Sequence, residues 1–349
     1  MPSSKYTLAS LVIGLFLAWS AWAQSDVAVN PAHPDRYVVV RGDTLWDISA
    51  RFLREPWRWP DVWYVNPQIQ NPHLIYPGDV IVLTYVDGKP RLSLERGSLV
   101  KLSPEVRSSP LDDAIPFIPL DAINQFLTRP YVIEDDALDS KPYMVSFGRE
   151  HLMGSTDNKA YVRAIENDEE IRFDVVRPGD PYKDADTGEI LGYEAQYVGN
   201  AELQRTGDPA TVLMTSVQME VNIGDRLIPV TEDVAMDSFY PKAPSRPISG
   251  SIISVLNGVR EIGQFNVVVL DRGEEDGLAV GDVLTINQRG EKVRDLVKWV
   301  DNIRTHVTLP DEPAGTLLVF RTFARVSFGL VMRATRSIHV GDRAVSPEL

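Results

Sequence analysis

The order of apolar and polar residues divides the chain into a small mixed unit near its start and a long region of short strands. In residues 36–86, two helical patterns lie between two strand-like runs, which predicts a βααβ domain. From residue 143 onward, β-branched runs alternate with glycine, aspartate and proline, a spacing typical of barrels and sandwiches. The predicted fold class is therefore α+β: a small βααβ domain followed by barrel-like or sandwich-like β subdomains at residues 143–240 and 241–349.

Local signals support the βααβ pattern. An apolar run at residues 37–40 ends at a Gly-Asp pair, and Thr44 then offers a helix N-cap. The helix that follows has one apolar face: Leu45, Ile48 and Phe52. Pro60 suits the first turn of a second helix, and an apolar run at residues 80–83 closes the unit as a strand. So few apolar side chains predict two helices packed on a two-stranded sheet.

A Gly-Asp turn recurs before strand-like runs of the β-rich region, at residues 224–225, 281–282 and 341–342. Glycine permits positive φ, and aspartate can bond to its own backbone. The first and third turns share more, because each is followed by a proline and preceded by a strand pair that opens with a small residue and threonine. Two interpretations stay open: two related subdomains, or one strand-entry device used independently.

Residues 87–142 are interpreted as a linker that packs in part. A short helix is predicted within it at residues 119–127, before Pro130. Because a polar, proline-containing stretch separates the two regions, we expect the βααβ domain and the region from residue 143 to fold independently.

Residues 1–23 have the pattern of a secretory signal peptide. Lys5 is the one charge before an apolar run at residues 8–19, and Ala21 and Ala23 frame a cleavage site. The run is short for a membrane span, which favours cleavage over an uncleaved anchor. Residues 24–35 then form a flexible leader, and no later segment has the length of a membrane span. We expect an exported, soluble protein.

Composition excludes further classes. The chain of 349 residues has no cysteine, which excludes disulfides and a lipidated cysteine anchor. Its formal net charge is −14. Since an acidic surface repels phosphate backbones, we expect no nucleic-acid partner.

The βααβ unit resembles a LysM domain. The matching residues are Tyr37-Val38-Val39-Val40-Arg41-Gly42-Asp43-Thr44-Leu45-Trp46-Asp47-Ile48-Ser49, Asn66-Pro67, Asn71-Pro72, Ile75 and Tyr76-Pro77-Gly78-Asp79. LysM domains bind N-acetylglucosamine-containing glycans such as peptidoglycan, in a groove between the first strand–helix loop and the second helix–strand loop. The resemblance implies a peptidoglycan site formed by ten residues: Gly42, Asp43, Thr44, Leu45, Trp46, Asn71, Pro72, His73, Leu74 and Ile75.

Several side chains of this unit have more than one interpretation. Leu45 and Ile75 can contact a sugar, pack in the core, or do both. Helical spacing favours core positions for Trp46 and Trp63. The pattern departs from the family at Trp57 and Trp59, which either stack on a sugar or partner or cover the helix junction.

The rest of the chain resembles the type IV pilus secretin-associated LysM proteins, whose C-terminal part is similar to a flagellar T-ring assembly protein. The matching stretches are Val100-Lys101-Leu102-Ser103-Pro104, Thr187-Gly188-Glu189-Ile190-Leu191-Gly192-Tyr193-Glu194, Val198-Gly199, Gly224-Asp225-Arg226-Leu227 and Leu317-Leu318-Val319-Phe320-Arg321. The resemblance implies a periplasmic protein, associated with the cell wall and outer membrane, that anchors the outer-membrane secretin to peptidoglycan.

A LysM-targeted peptidoglycan hydrolase is the alternative. The five histidines have no metal-ligand spacing, and no Gly-x-Ser-x-Gly elbow is present. Residues 184–188 begin like a calcium loop, but Ala195 stands where its bidentate glutamate belongs, which favours a plain turn. A muramidase needs only two carboxylates, so the alternative stays open. We expect a non-enzymatic adaptor without catalytic residues, cofactor or metal.

Overall fold

The computed structural model describes residues 27–63, 75–95, 115–119, 122–123, 132–133, 140–147, 155–165, 171–230, 240–256, 261–300 and 303–348. The predicted signal peptide lies outside these residues, as do four residues of the predicted site: Asn71, Pro72, His73 and Leu74. Within the predicted helix at 119–127, residues 122 and 123 are described and are helical. No helix in the described part of the chain has the length and apolar character needed to cross a membrane.

The first domain contains the regular helices of the structure. Its elements are β1 (Arg36–Val38), α1 (Leu45–Phe52), a 3-10 turn (Pro56–Arg58), α2 (Trp59–Val62), β2 (Val80–Val86) and β3 (Lys89–Glu95). The described part of the predicted flexible leader is tied to the end of α1, because Asn30 N–H donates to the Phe52 carbonyl at 2.8 Å and Arg54 N–H donates to the Ala28 carbonyl at 3.0 Å.

The sheet of this domain has three strands, in the order β1-β2-β3, where the sequence analysis predicted two. The cause is an Asp-Gly hairpin turn at Asp87 and Gly88, whose φ angles are +52° and +77°. Two positive φ angles in succession match the twist of the flanking strands, so the chain returns antiparallel and Lys89 pairs with Val86. The additional strand falls in the range interpreted as a linker.

The chain after the first domain forms two rings of six strands each. The strands of the first region are β4 (Val132–Ile133), β5 (Tyr143–Ser146), β6 (Lys159–Arg163), β7 (Arg172–Lys183), β8 (Ile190–Arg205), β9 (Ala210–Val217) and β10 (Arg226–Pro229). These seven are one sheet in the order β4-β8-β7-β10-β5-β6-β9. An additional β8–β9 pairing closes six of them into the first ring, and β4 is added outside it along β8.

The second ring is a closed barrel in the order β11-β12-β17-β16-β13-β18. The elements of this region are β11 (Ser249–Val255), β12 (Val267–Leu270), β13 (Val283–Gln288), β14 (Lys292–Val300), β15 (Ile303–Thr308), β16 (Glu312–Thr322), β17 (Ser327–Ala334) and β18 (Arg343–Val345). Strands β14 and β15 pair only with each other, as a hairpin between β13 and β16. Beyond the first domain the described regular structure is therefore β, apart from the two helical residues 122 and 123.

The two rings share one topology. When the six strands of each ring are numbered along the chain, both have the order first, second, fifth, fourth, third, sixth. The Gly-Asp turns at residues 224–225 and 341–342 occupy equivalent places, because each precedes the sixth strand of its ring. The similarity of these two turns in the sequence thus coincides with equivalent positions in two related folds.

The first domain and the second barrel share apolar packing. Along β12, Val268 and Leu270 face the barrel interior, while Val267 and Val269 belong to a cluster that also contains Trp46 of α1. A cavity of about 590 Å³ lies between α1 and the barrel strand β17. This contact between the two regions was not predicted from the sequence, and deletion of the first domain would uncover an apolar face of the barrel.

The tip of the β7–β8 hairpin lies against the second barrel. Asp184 accepts hydrogen bonds from the backbone N–H groups of Asp186 and Thr187 at 2.9 and 2.7 Å, so the calcium-like sequence forms a turn. Its other oxygen lies 3.0 Å from a guanidinium nitrogen of Arg272. The turn hydrogen bond from Thr187, helped by Arg272, lowers the pKa of Asp184 to about 2.

Candidate functional site

Two Gly-Asp turns lie at the predicted groove: the first is part of the first groove loop, and the second follows the last residue of the second loop, Ile75. Gly42 and Gly78 have φ angles of +93° and +97°, a region that favours glycine. In each turn the aspartate accepts from the backbone N–H three residues before it: Asp43 from Val40 at 2.9 Å, and the second aspartate from Tyr76 at 3.0 Å. The two turns are therefore stabilised by the same local hydrogen bond.

The strand that precedes the first groove loop is joined through the backbone to the second Gly-Asp turn. Val39 N–H donates to the Asp79 carbonyl at 2.8 Å, and Gly78 N–H donates to the Val39 carbonyl at the same distance. These bonds hold the first strand–helix loop beside the entry to β2. The two turns that contain Gly42 and Gly78 are thus close in space.

The beginning of α1 offers hydrogen-bond donors at the groove. Thr44 is the N-cap, and its hydroxyl oxygen accepts from Asp47 N–H at 3.1 Å. The N–H groups of the first helical turn have no partner within the helix. Here Leu45 N–H donates to the carbonyl of Pro116 at 3.0 Å, and Trp46 N–H donates to the carbonyl of Phe117 at 3.1 Å.

The segment that accepts these bonds also contacts the second loop. Ile115 N–H donates to the carbonyl of Ile75 at 2.9 Å, so residues 115–117 lie between the two loops. The side chains of Ile115, Phe117 and Ile118 are buried. The Phe117 ring lies edge to face against Trp46, with a centroid distance of 6.2 Å, and its centroid is 5.8 Å from that of Trp59.

The described site residues differ in exposure. Thr44, Leu45, Trp46 and Ile75 are buried, whereas Gly42 and Asp43 lie nearer the surface. The core interpretation therefore holds for the side chains of Leu45 and Ile75, while their backbone groups face residues 115–117.

The two tryptophans left open by the sequence are also buried. Trp59 packs edge to face on Trp63, with centroids 6.0 Å apart, and stacks on Tyr240 with centroids 6.3 Å apart. Trp57 and Trp59 thus cover the helix junction, the second of the two interpretations. Their rings are not presented to solvent as a sugar platform.

The electrostatics of the site centre on Tyr37 and Asp43. The Tyr37 hydroxyl donates to the Asp43 carboxylate at 3.0 Å, and the Arg51 guanidinium lies 4.5 Å from the centre of the Tyr37 ring. Partial burial, together with this carboxylate, raises the pKa of Tyr37. No cluster of three or more His, Asp or Glu side chains suited to a metal ion occurs among the residues that the structure describes.

Residues 115–118 are the part of the site that the sequence analysis missed. They fell within the range interpreted as a linker, which provided no prediction of contact with the groove. The available signal is a short apolar run, Ile115-Pro116-Phe117-Ile118-Pro119, inside an otherwise mixed stretch. Pro116 and Pro119 disfavour helix and sheet, so such a run buries its side chains only against another part of the protein.

The comparisons with known proteins bear on this domain. The sequence profile of the LysM domain matches residues 37–84. An uncharacterized protein of Bacillus subtilis (strain 168), YqbP, is 36% identical over 55 residues, which represent 13% of this chain and 25% of that protein. The match covers about a quarter of the relative's length. Residues 37–84 are therefore a LysM domain, a type of domain that implies binding of peptidoglycan or a related glycan.

Proposed function

We propose that this protein is a non-enzymatic adaptor of the periplasm that holds peptidoglycan through its LysM domain and anchors an outer-membrane assembly. The observation that carries the proposal is the match of residues 37–84 to the LysM domain. The backbone bonds between Val39 and residues 78 and 79 hold the strand before the first groove loop beside the turn that follows the second, which lowers the entropic cost of ordering this part of the domain on binding.

The groove has the chemistry that an N-acetylated sugar requires. An acetamido group carries one N–H donor and one carbonyl acceptor, so it needs one partner of each kind. The N–H groups of Leu45 and Trp46 are donors at one side of the groove, and the Ile75 carbonyl is an acceptor at the other; in the structure all three are bonded to residues 115–117, which a sugar has to replace. A sugar that lacks the acetamido group makes neither bond, and this difference provides a specificity test.

The protein partner is proposed to be the type IV pilus secretin. Support comes from the resemblance of the C-terminal motifs to the secretin-associated LysM proteins, and from a formal net charge of −14 that suits a partner with a basic surface. Several copies around one secretin ring would multiply a modest glycan affinity, because each bound copy raises the effective concentration of the wall near the others.

Co-purification from solubilised envelopes tests the adaptor role. A tagged full chain is expected to retain the secretin at low salt and to release much of it as ionic strength rises, since charge complementarity is screened by salt. A variant with Asp43→Ala, which removes the turn carboxylate in the LysM domain, is the matched control and should retain the secretin while binding less peptidoglycan. Loss of the secretin from the wild-type chain at every salt concentration would contradict the proposal.

A further inference from the structure

We propose that residues 115–118 are an internal ligand of the LysM groove, and that a glycan binds by displacing them. The inference rests on the proposed glycan binding and adds a competition that the LysM match does not imply. We call residues 115–118 the groove segment. Under this proposal, the affinity of the full chain for glycan depends on the fraction of time for which the groove segment is displaced.

The groove segment uses the backbone groups that a glycan would need. Two of its carbonyls, those of Pro116 and Phe117, accept from Leu45 and Trp46, and the N–H of Ile115 donates to Ile75. A peptide bond and an acetamido group are both secondary amides, with one donor and one acceptor each. Segment and sugar therefore compete for the same three hydrogen-bonding groups, and both cannot hold them at once.

Apolar contacts keep the segment in place. Ile118 is fully buried, and Ile115 and Phe117 are exposed by 8% and 7%. The Phe117 ring packs against both Trp46 and Trp59. Because these contacts are made only in the closed position, replacement of Phe117 or Ile118 by a charged residue favours departure of the segment over its return.

The closed position is also connected to the second barrel. Trp59, which contacts Phe117, stacks on Tyr240. Two residues further along, Lys242 N–H donates to the Gly281 carbonyl at 3.0 Å, and its carbonyl accepts from Val283 of β13 at 2.9 Å. Phe117, Trp59 and Tyr240 thus form a row of aromatic rings that reaches the barrel, and departure of the segment removes Phe117 from it.

Competition has a simple quantitative consequence. When a binding site is open for only a fraction of the time, the apparent dissociation constant is the intrinsic one divided by that fraction. A site open about 1% of the time binds roughly a hundredfold more weakly than an open site. Variants that expel the segment are therefore expected to bind glycan at least tenfold more tightly than the wild type.

Hydrogen exchange of the wild-type full chain provides the direct test, with chitotetraose as the probe and cellotetraose, which lacks acetamido groups, as the control. Saturating chitotetraose should speed exchange at Ile115, which loses its bond to Ile75, while Leu45 and Trp46 stay protected by the sugar. Cellotetraose should change none of them. Unchanged protection of Ile115 at saturation would overturn the proposal without touching glycan binding itself.

Affinity measurements on variants separate this proposal from the function on which it rests. Phe117→Asp and Ile118→Asp should each bind chitotetraose at least tenfold more tightly by calorimetry, whereas Phe117→Leu, which keeps an apolar side chain, should resemble the wild type. Wild-type affinity in both charged variants, with the Leu45 and Trp46 amides exchanging fast, would overturn the competition alone. Absence of binding in all chains would overturn the competition and the glycan-binding function together.

Discussion

The indole of Trp46 and the ring of Phe117 lie edge to face, with their centroids 6.2 Å apart at an interplanar angle of 71°. Trp46 belongs to the first helix of the LysM domain, and Phe117 belongs to a stretch that the sequence suggested was a linker. Their contact places that stretch in the core of the site. It also explains why the domain cannot be understood from residues 37–84 alone.

The glycines of the two Gly-Asp turns in the LysM domain are expected to stabilise the fold through their backbone conformation. Gly42→Ala and Gly78→Ala should each destabilise the folded chain by about 1–2 kcal/mol, because φ near +95° is strained for any residue with a Cβ. Neither added Cβ would meet an atom within 4 Å, so a steric clash plays no part. Thermal unfolding measures the cost. Gly263→Ala is the control, since its φ lies outside the strained region; an equal loss there would contradict the conformational explanation.

The ion pair in the first ring is a second point of expected sensitivity. Arg177 contacts Asp225 through two parallel bonds of 2.9 and 3.0 Å, and the aspartate is only 2% exposed. Asp225→Ala should cost about 3–5 kcal/mol, because the guanidinium keeps only its bond to the Glu220 carbonyl and loses its carboxylate, and Asn222 N–H loses its acceptor.

A double-mutant cycle provides the check on this pair. Arg177→Ala combined with Asp225→Ala should cost less than the sum of the two single changes. The exposed pair of Arg163 and Asp208 has similar bond lengths and is the matched control. Its removal should produce a shift too small to resolve by chemical denaturation, since water screens exposed charges. Equal effects at the two pairs would show that burial is not the deciding factor.

The Gly-Asp turn before β13 should make stability depend on pH. Burial raises the pKa of Asp282, one of whose oxygens has no hydrogen-bond partner among the described residues. Because the pKa is higher in the folded state, ionisation of this carboxyl lowers the stability of the folded state. This loss is absent below the unfolded pKa of about 4 and grows as the pH rises above it. Asp282→Asn should therefore gain stability relative to the wild type as the pH rises from 4.

The turn before β18 provides a control, because the same Asp→Asn substitution there should change stability in the opposite direction. Both oxygens of Asp342 accept backbone hydrogen bonds, from Arg289 at 2.9 Å and His339 at 2.8 Å. An asparagine amide cannot accept at its nitrogen, so Asp342→Asn should lose about 1–3 kcal/mol. Denaturant titrations of both variants at pH 4 and pH 7 measure these changes. A relative loss of stability for Asp282→Asn between the two pH values would contradict the burial argument.

The proposed absence of catalysis can be tested directly. Purified protein should leave peptidoglycan undigested over a long incubation, because the proposed adaptor role requires no hydrolysis and no metal-binding cluster occurs among the described residues. Chromatography of the supernatant detects released muropeptides. Soluble products that disappear after a single Asp or Glu substitution would instead support the hydrolase alternative.

Local signals accounted for much of the first domain. Thr44 was predicted as an N-cap and does cap α1, and the apolar face of that helix is buried as its spacing predicted. The Gly-Asp turns behaved as expected, each aspartate accepting from a nearby backbone N–H. These features depend on residues three or four positions apart, which a sequence displays directly.

Features that depend on distant pairings were not predictable in the same way. The shared order of the two rings follows from which strands pair, and the alternation of apolar residues does not specify a neighbour. The groove segment is the sharpest case, because Phe117 has its partners at Trp46 and Trp59, far away in the sequence. The third strand of the LysM sheet differs from these cases, because the Asp-Gly pair at residues 87 and 88 is a local hairpin signal that the sequence displays directly.

Release of the full chain from purified peptidoglycan sacculi by a soluble sugar tests the central claim most directly. The protein is expected to sediment with the sacculi, and excess chitotetraose should move most of it to the supernatant, while the same concentration of cellotetraose should not. This result follows if the LysM groove holds acetamido groups through Leu45, Trp46 and Ile75. A folded protein that stays in the supernatant, or that both sugars release equally, would contradict the account.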